Sequence, residues 1–178
     1  MEARQHNVSP RTLSRIGGLL YLIIIVLGIF EEAFVRDRLV VAGNAAATAD
    51  HIRSMESLWR VGIASEFVLL ICAIVLTVIF YVLLRPVSKD LALLATFFNL
   101  VSVAVEAATT MYLIEALFPL GNAEYVKAFP PEQLNALASF AIRAHSYGFG
   151  VALIFFSLAL TVRAADVEDL ARKAGLVK

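Results

Sequence analysis

The sequence predicts an all-α, polytopic membrane protein, and three observations predict it. Its 178 residues are 60% hydrophobic and only 17% charged, whereas a soluble domain is nearer half apolar and a quarter charged. Four separate stretches stay apolar for the roughly 20 residues that a bilayer core requires. Lysine and arginine are also unevenly divided between the flanks of those stretches. The same composition excludes other classes. Formal net charge is zero, so no basic excess exists to neutralise phosphates and no nucleic-acid partner is expected. A lone cysteine, Cys72, can neither close an internal disulfide nor build a zinc or iron–sulfur site by itself, and no metal or other cofactor is expected.

The elements follow in order within a single membrane domain, 1–178. Ser9 and Pro10 read as a cap and a first helical position, opening a first span over about 13–34 whose centre, 16–30, is uninterruptedly apolar. Glu31 and Glu32 then stand where a signal peptide would need small residues for cleavage, so the span is expected to be retained. The next loop has an extended, Ala/Gly-rich first half. Ile52, Met55 and Leu58 at helical spacing then predict an outer interfacial helix over about 48–57, with Trp59 at the membrane edge. A second span, about 58–84, contains Arg60 and Glu66 and stops at Arg85-Pro86. Ser88 caps a third, about 91–117, with Asp90 in its first turn, so these two spans form a tight antiparallel hairpin. The fourth span, about 134–162, follows Pro131 and Glu132. The tail, 163–178, pairs Glu168 with Arg172 and Asp169 with Lys173 at i,i+4, and reads as a short cytoplasmic helix ending at Gly175.

Orientation follows from the short flanks. Arg4, Arg11, Arg15, Arg85, Lys89, Arg163, Arg172, Lys173 and Lys178 lie on one side, against Arg36, Arg38, Arg53, Arg60 and Lys127 on the other. Both termini are therefore expected in the cytoplasm.

Several blocks, in order, match something known. Arg15-Ile16-Gly17-Gly18-Leu19-Leu20-Tyr21-Leu22, Val26-Leu27-Gly28-Ile29-Phe30, Ala45-Ala46-Ala47-Thr48-Ala49 and Trp59-Arg60-Val61-Gly62-Ile63-Ala64 form the first half. Tyr81 to Val87, Leu91 to Phe98, and His145-Ser146-Tyr147-Gly148-Phe149-Gly150 with Phe155-Phe156 form the second. Together they resemble a bacterial membrane family known as domain of unknown function 4386. The resemblance implies a bacterial inner-membrane helical protein with no assigned activity or catalytic residues. It also implies a shortened member, because the family continues after the Phe-Phe span with two more hydrophobic helices where this chain turns polar at Arg163.

Chemistry, if there is any, should sit at the ionisable residues inside the spans. At about 1.5 Å of rise per residue, Glu31, Glu32, Glu66, Glu106, Arg143 and His145 fall in the outer half of the bilayer, with Glu115 nearer the surface. A lone charge at mid-bilayer costs roughly 2.5 to 3.5 kcal/mol, so such groups turn inward and pair. Glu66 and Glu106 match Arg143 best in depth, and an Arg143 clasp to one of them is expected. The plainest reading is a polar clasp that sets helix register. The functional readings are a ligand or proton pathway through these seven residues, or a ligand site through His145 and a carboxylate. The spacing of His145 and the glutamates matches no common metal motif. Ser146, beside His145, points to another helix face, which argues against an intramembrane hydrolase.

Gly17-Gly18, Gly28, Ala104 with Ala108, and Gly148 with Gly150 read as close-packing positions, and Tyr21, Trp59, Tyr112 and Tyr125 as interfacial anchors. Two functions follow. The first is a non-catalytic structural or accessory subunit, packed in the lipid bilayer against other membrane subunits or copies of itself. The alternative is a small transporter, proton-relay or ligand-binding membrane protein using the acidic pocket. Four helices leave little room for paired transport repeats, which favours the first.

Overall fold

The computed structural model describes residues 9–173. Among these the chain is helical between its loops and contains four helices long and apolar enough to cross a membrane, Pro10–Leu39, Glu56–Leu84, Lys89–Glu115 and Pro131–Ala165. The first begins as α1, Pro10–Ile29, with the Ser9 side chain accepting from the Thr12 backbone N–H. It continues through a π-helical segment, Phe30–Arg36, and a last turn, α2, Asp37–Leu39. Gly43 turns the chain at φ 74°, where a residue without Cβ carries no penalty. Asn44 then caps α3, Ala45–Ser54, through the Ala47 N–H. After a break at Met55 come α4, Glu56–Leu84, and α5, Lys89–Glu115, the latter capped by Ser88. A short 3-10 turn, Glu124–Ala128, leads into α6, Pro131–Lys173.

The spans pack in sequence order, α1 on α4, α4 on α5 and α5 on α6, and α3 lies against α6. The closest approach is between α5 and α6. A Cβ on Gly148 would overlap the Thr109 side chain, so the absence of one lets these helices meet nearly backbone to side chain. Gly62 performs the same service for the π-helical segment, where an added Cβ would lie 2.9 Å from Val35. Gly17 packs on Leu76 and Ile79. Gly18 and Gly150 instead face open space, and Ala104 and Ala108 are exposed, so they are not packing positions within the chain.

Two boundaries and one side chain differ from the sequence reading for local reasons. The loop helix starts at Ala45 and ends at Ser54, because Asn44 is a better cap than any residue near 48 and three alanines follow it. It buries Thr48, Ala49 and Ile52, so it is a packed part of the bundle as well as a surface helix. Trp59 is not a membrane-edge anchor. It is 2% exposed, and its indole N–H donates to the Leu113 carbonyl at 3.0 Å, which satisfies its one donor inside the core. The last span also does not stop at 162. No proline or glycine interrupts the chain between Val151 and Lys173, and α6 runs on unbroken, carrying the expected Glu168–Arg172 pair at 2.7 Å. Gly175, and the side chains of Asp169 and Lys173, lie outside the described residues.

Candidate functional site

Near the end of the bundle that carries α3, the spans converge on Glu66. This side chain projects from α4 and is 1% exposed, and a charge so placed must be paired or hydrogen-bonded on every side. Its Oε1 accepts from the Thr110 hydroxyl of α5 at 2.9 Å and lies 3.1 Å from His145 Nε2 of α6. Its Oε2 accepts from Arg36 Nη2 at 3.1 Å. One carboxylate thus ties together the π-helical segment, α4, α5 and α6. Arg36 also lies 3.6 Å from the exposed Glu32 and 5.8 Å from the centroid of the Phe149 ring, on which His145 stacks.

The π-helical segment explains how Arg36 gets there. In an α-helix, residues five apart are roughly 140° apart around the axis, so Glu31 and Arg36 could not both face the bundle. Bonding from i to i+5 stacks them instead, as the Asp37 N–H to Glu32 carbonyl bond shows. Glu31 is accordingly buried, and its Oε1 accepts from Ser65 at 2.9 Å.

Of the seven residues expected at the site, the structure brings Glu31, Glu66, Glu106 and His145 inward. It places Glu32 and Glu115 on the surface. It contradicts the Arg143 clasp: Arg143 is exposed, and the arginine on Glu66 is Arg36. The reason is azimuth. Inward positions on α6 include Ala138, Ala141, Ile142, His145 and Ala152, and Arg143 lies roughly 200° from His145 around the helix. Matching depth alone could not separate the two faces. Replacing Arg143 with methionine should therefore change stability by no more than about 0.5 kcal/mol, as for other surface positions, which thermal unfolding in detergent would check.

Beside the cluster, toward the end that carries the chain termini, lies a cavity of about 210 Å³ bounded by all four spans. Its walls are mostly apolar: Ile24 and Leu69, Leu76 and Phe80, Val103 and Phe156. Its polar lining includes Tyr21, Thr77, Asn99, Ser102, Glu106 and Arg163. Glu106 is half-buried, one turn from the Thr110 that bonds Glu66. Among the described residues, no donor meets the Glu106 carboxylate. Arg163 lies 4.6 Å from the Phe80 ring. The first and last spans both line the cavity without packing extensively on each other. Among the described residues, His, Cys, Asp and Glu do not gather in threes as a metal centre would need.

The fold and site define a class: a four-span helical membrane protein with an ion-paired glutamate at its core and an acid-bearing apolar cavity beside it. The chain belongs to the family described as Domain of unknown function (DUF4386), whose model matches residues 16–165. No curated protein and no solved structure matches the chain.

Arg36, Thr110, Ser65 and Asn99 were not among the expected site residues. Arg36 counted as a loop charge beyond the first span, although its spacing of four from Glu32 was a usable helical signal. The hydroxyl and amide groups carried none, since Thr and Ser inside spans usually bond their own helix backbone.

Proposed function

We propose that the protein binds a small molecule within the membrane, in the cavity between its spans, as a ligand-binding or transport protein rather than an enzyme. One observation carries the reading: the Glu106 carboxylate borders an apolar cavity without a donor from the described residues. An acid half-buried among apolar side chains is costly unless paired, and a helix bundle that needed only packing would gain from an apolar residue there. The Glu66 cluster holds the helices around one end of the cavity, and the sparse packing of α1 on α6 offers a route from the bilayer. Ser146 bonds the Ile142 carbonyl and is exposed, which supports binding over nucleophilic chemistry with His145.

A second reading, the accessory subunit, has its own support. Arg143 is exposed on α6 near Phe140 and Tyr147, which are 72% and 77% exposed, and an acid on a partner helix could neutralise it. The two readings part on purification in mild detergent. Binding predicts a chain that runs alone or with copies of itself and takes up 1-naphthol saturably, with uptake lost when Ala73→Phe fills the cavity. Fixed stoichiometry with other membrane chains and no saturable uptake would support the accessory subunit instead.

In either case we place the protein in a bacterial inner membrane with both termini cytoplasmic, on the strength of the lysine and arginine asymmetry. A cysteine introduced at Asn122 should react with an impermeant maleimide added outside spheroplasts. Reaction only after the membrane is opened would reverse the orientation.

A further inference from the structure

We propose that the ligand of the cavity is a monovalent organic cation, an amine with an apolar chain, and that Glu106 is its counter-ion. This rests on the binding reading above and goes beyond it in naming the chemistry. Two hydrogen-bond acceptors in the cavity wall have no donor among the described residues. One is the Glu106 carboxylate. The other is Asn99, which is 4% exposed and whose Oδ1 is buried without a partner. The amide orientation follows from its neighbours. Thr77 spends its hydroxyl proton on the Ala73 carbonyl at 2.7 Å, so toward Asn99 it can only accept, and it does so from Nδ2 at 2.6 Å. That leaves Oδ1 as the unsatisfied atom.

Acceptors without donors beside an apolar cavity call for a ligand that donates. The rest of the lining is aliphatic and aromatic, which calls for an apolar body. A carboxylate in apolar surroundings favours a donor that is also a cation, because charge-assisted hydrogen bonds are the stronger ones. Glu106 and Asn99 lie seven residues apart on α5, about 10 Å along the axis. A second donor on the ligand at that distance from the amine would come level with Asn99, and would bond Oδ1 once the side chains that now cover that atom shift aside. Arg163 also lines the cavity and would repel a cation nearby. Its distance limits the effect. The Ser102 hydroxyl bonds the Ala152 carbonyl and Gly148 packs on Thr109, so Glu106 stands level with Gly150. Arg163 is 13 residues farther along α6, about 20 Å along the helix axis.

The test uses four eight-carbon probes with the full-length protein in lipid nanodiscs, corrected for empty discs: octylamine, 8-amino-1-octanol, 1-octanol and octanoate. Octylamine should bind saturably and more tightly than the alcohol or the acid. Glu106→Gln should weaken octylamine at least ten-fold while leaving octanol unchanged, and Glu106→Asp should recover part of the loss. Asn99→Leu should weaken 8-amino-1-octanol and spare octylamine, which has no group to reach that position. Equal or tighter binding of octanol or octanoate, or indifference of octylamine to Glu106→Gln in a protein that still melts normally, would overturn the cation assignment and leave the cavity a binding site for something else. Saturable binding of none of the four would overturn the cation assignment, and with it the binding reading itself if 1-naphthol is not taken up either.

Discussion

Replacing Glu66 with leucine is expected to destabilise the protein by about 3 to 5 kcal/mol, the usual cost of removing one partner from a buried ion pair. The Arg36 guanidinium stays charged and would lose its closest acceptor, while Thr110 and His145 would each lose a partner. The exposed Glu32, 3.6 Å from Arg36, replaces little of this, since exposed pairs contribute at most about 1 kcal/mol. Changing both partners, Glu66→Leu with Arg36→Met, should recover a large part of the loss, because an apolar pair of similar volume leaves no stranded charge. Pairing Glu66→Leu with Arg143→Met should recover nothing. Thermal unfolding of the three variants in one detergent would decide whether the clasp runs through Arg36.

Gly148→Val should be the second most damaging change, at about 1 to 3 kcal/mol, the range for overpacking a filled interface. The added side chain would collide with Thr109 and push α5 and α6 apart at their closest approach. Gly150 is the internal control. It is two residues away and faces open space, so Gly150→Ala should raise stability by up to about 1 kcal/mol through helix propensity alone. Adding Thr109→Gly to Gly148→Val should restore part of the lost stability, whereas a cost arising from anything but that contact would be unaffected.

Much of the fold was legible because span-length hydropathy, caps and prolines act locally. Ser9, Ser88 and Pro131 mark helix starts, and Arg85-Pro86 marks an end. Glu31, Glu66 and Glu106 were legible as inward acids, because a glutamate well inside a span gains from a partner in the bundle, whereas Glu32 and Glu115, nearer the helix ends, turn outward. Their partners were less so. Choosing between Arg36 and Arg143 needed the rotation of each helix about its axis, and Arg36 depends on a π-helical segment that residue periodicity does not announce. Trp59 carried the composition of an interface anchor, and only the Leu113 carbonyl, 54 residues away in sequence, shows why it is buried. The cavity was beyond reach of the sequence for a similar reason. It is defined by side chains on four helices that fail to fill the space between them, and no single helix records that.

The account's central claim is that two glutamates at similar depth differ in kind: Glu66 is tied up in the clasp, and Glu106 is available to the cavity. Treatment of the protein in its membrane with dicyclohexylcarbodiimide, an apolar reagent that modifies carboxyl groups from the lipid phase, tests this directly by peptide mass spectrometry. Modification should appear on Glu106 and spare Glu66. Modification of Glu66 as readily as Glu106, or an inert Glu106, would contradict the account.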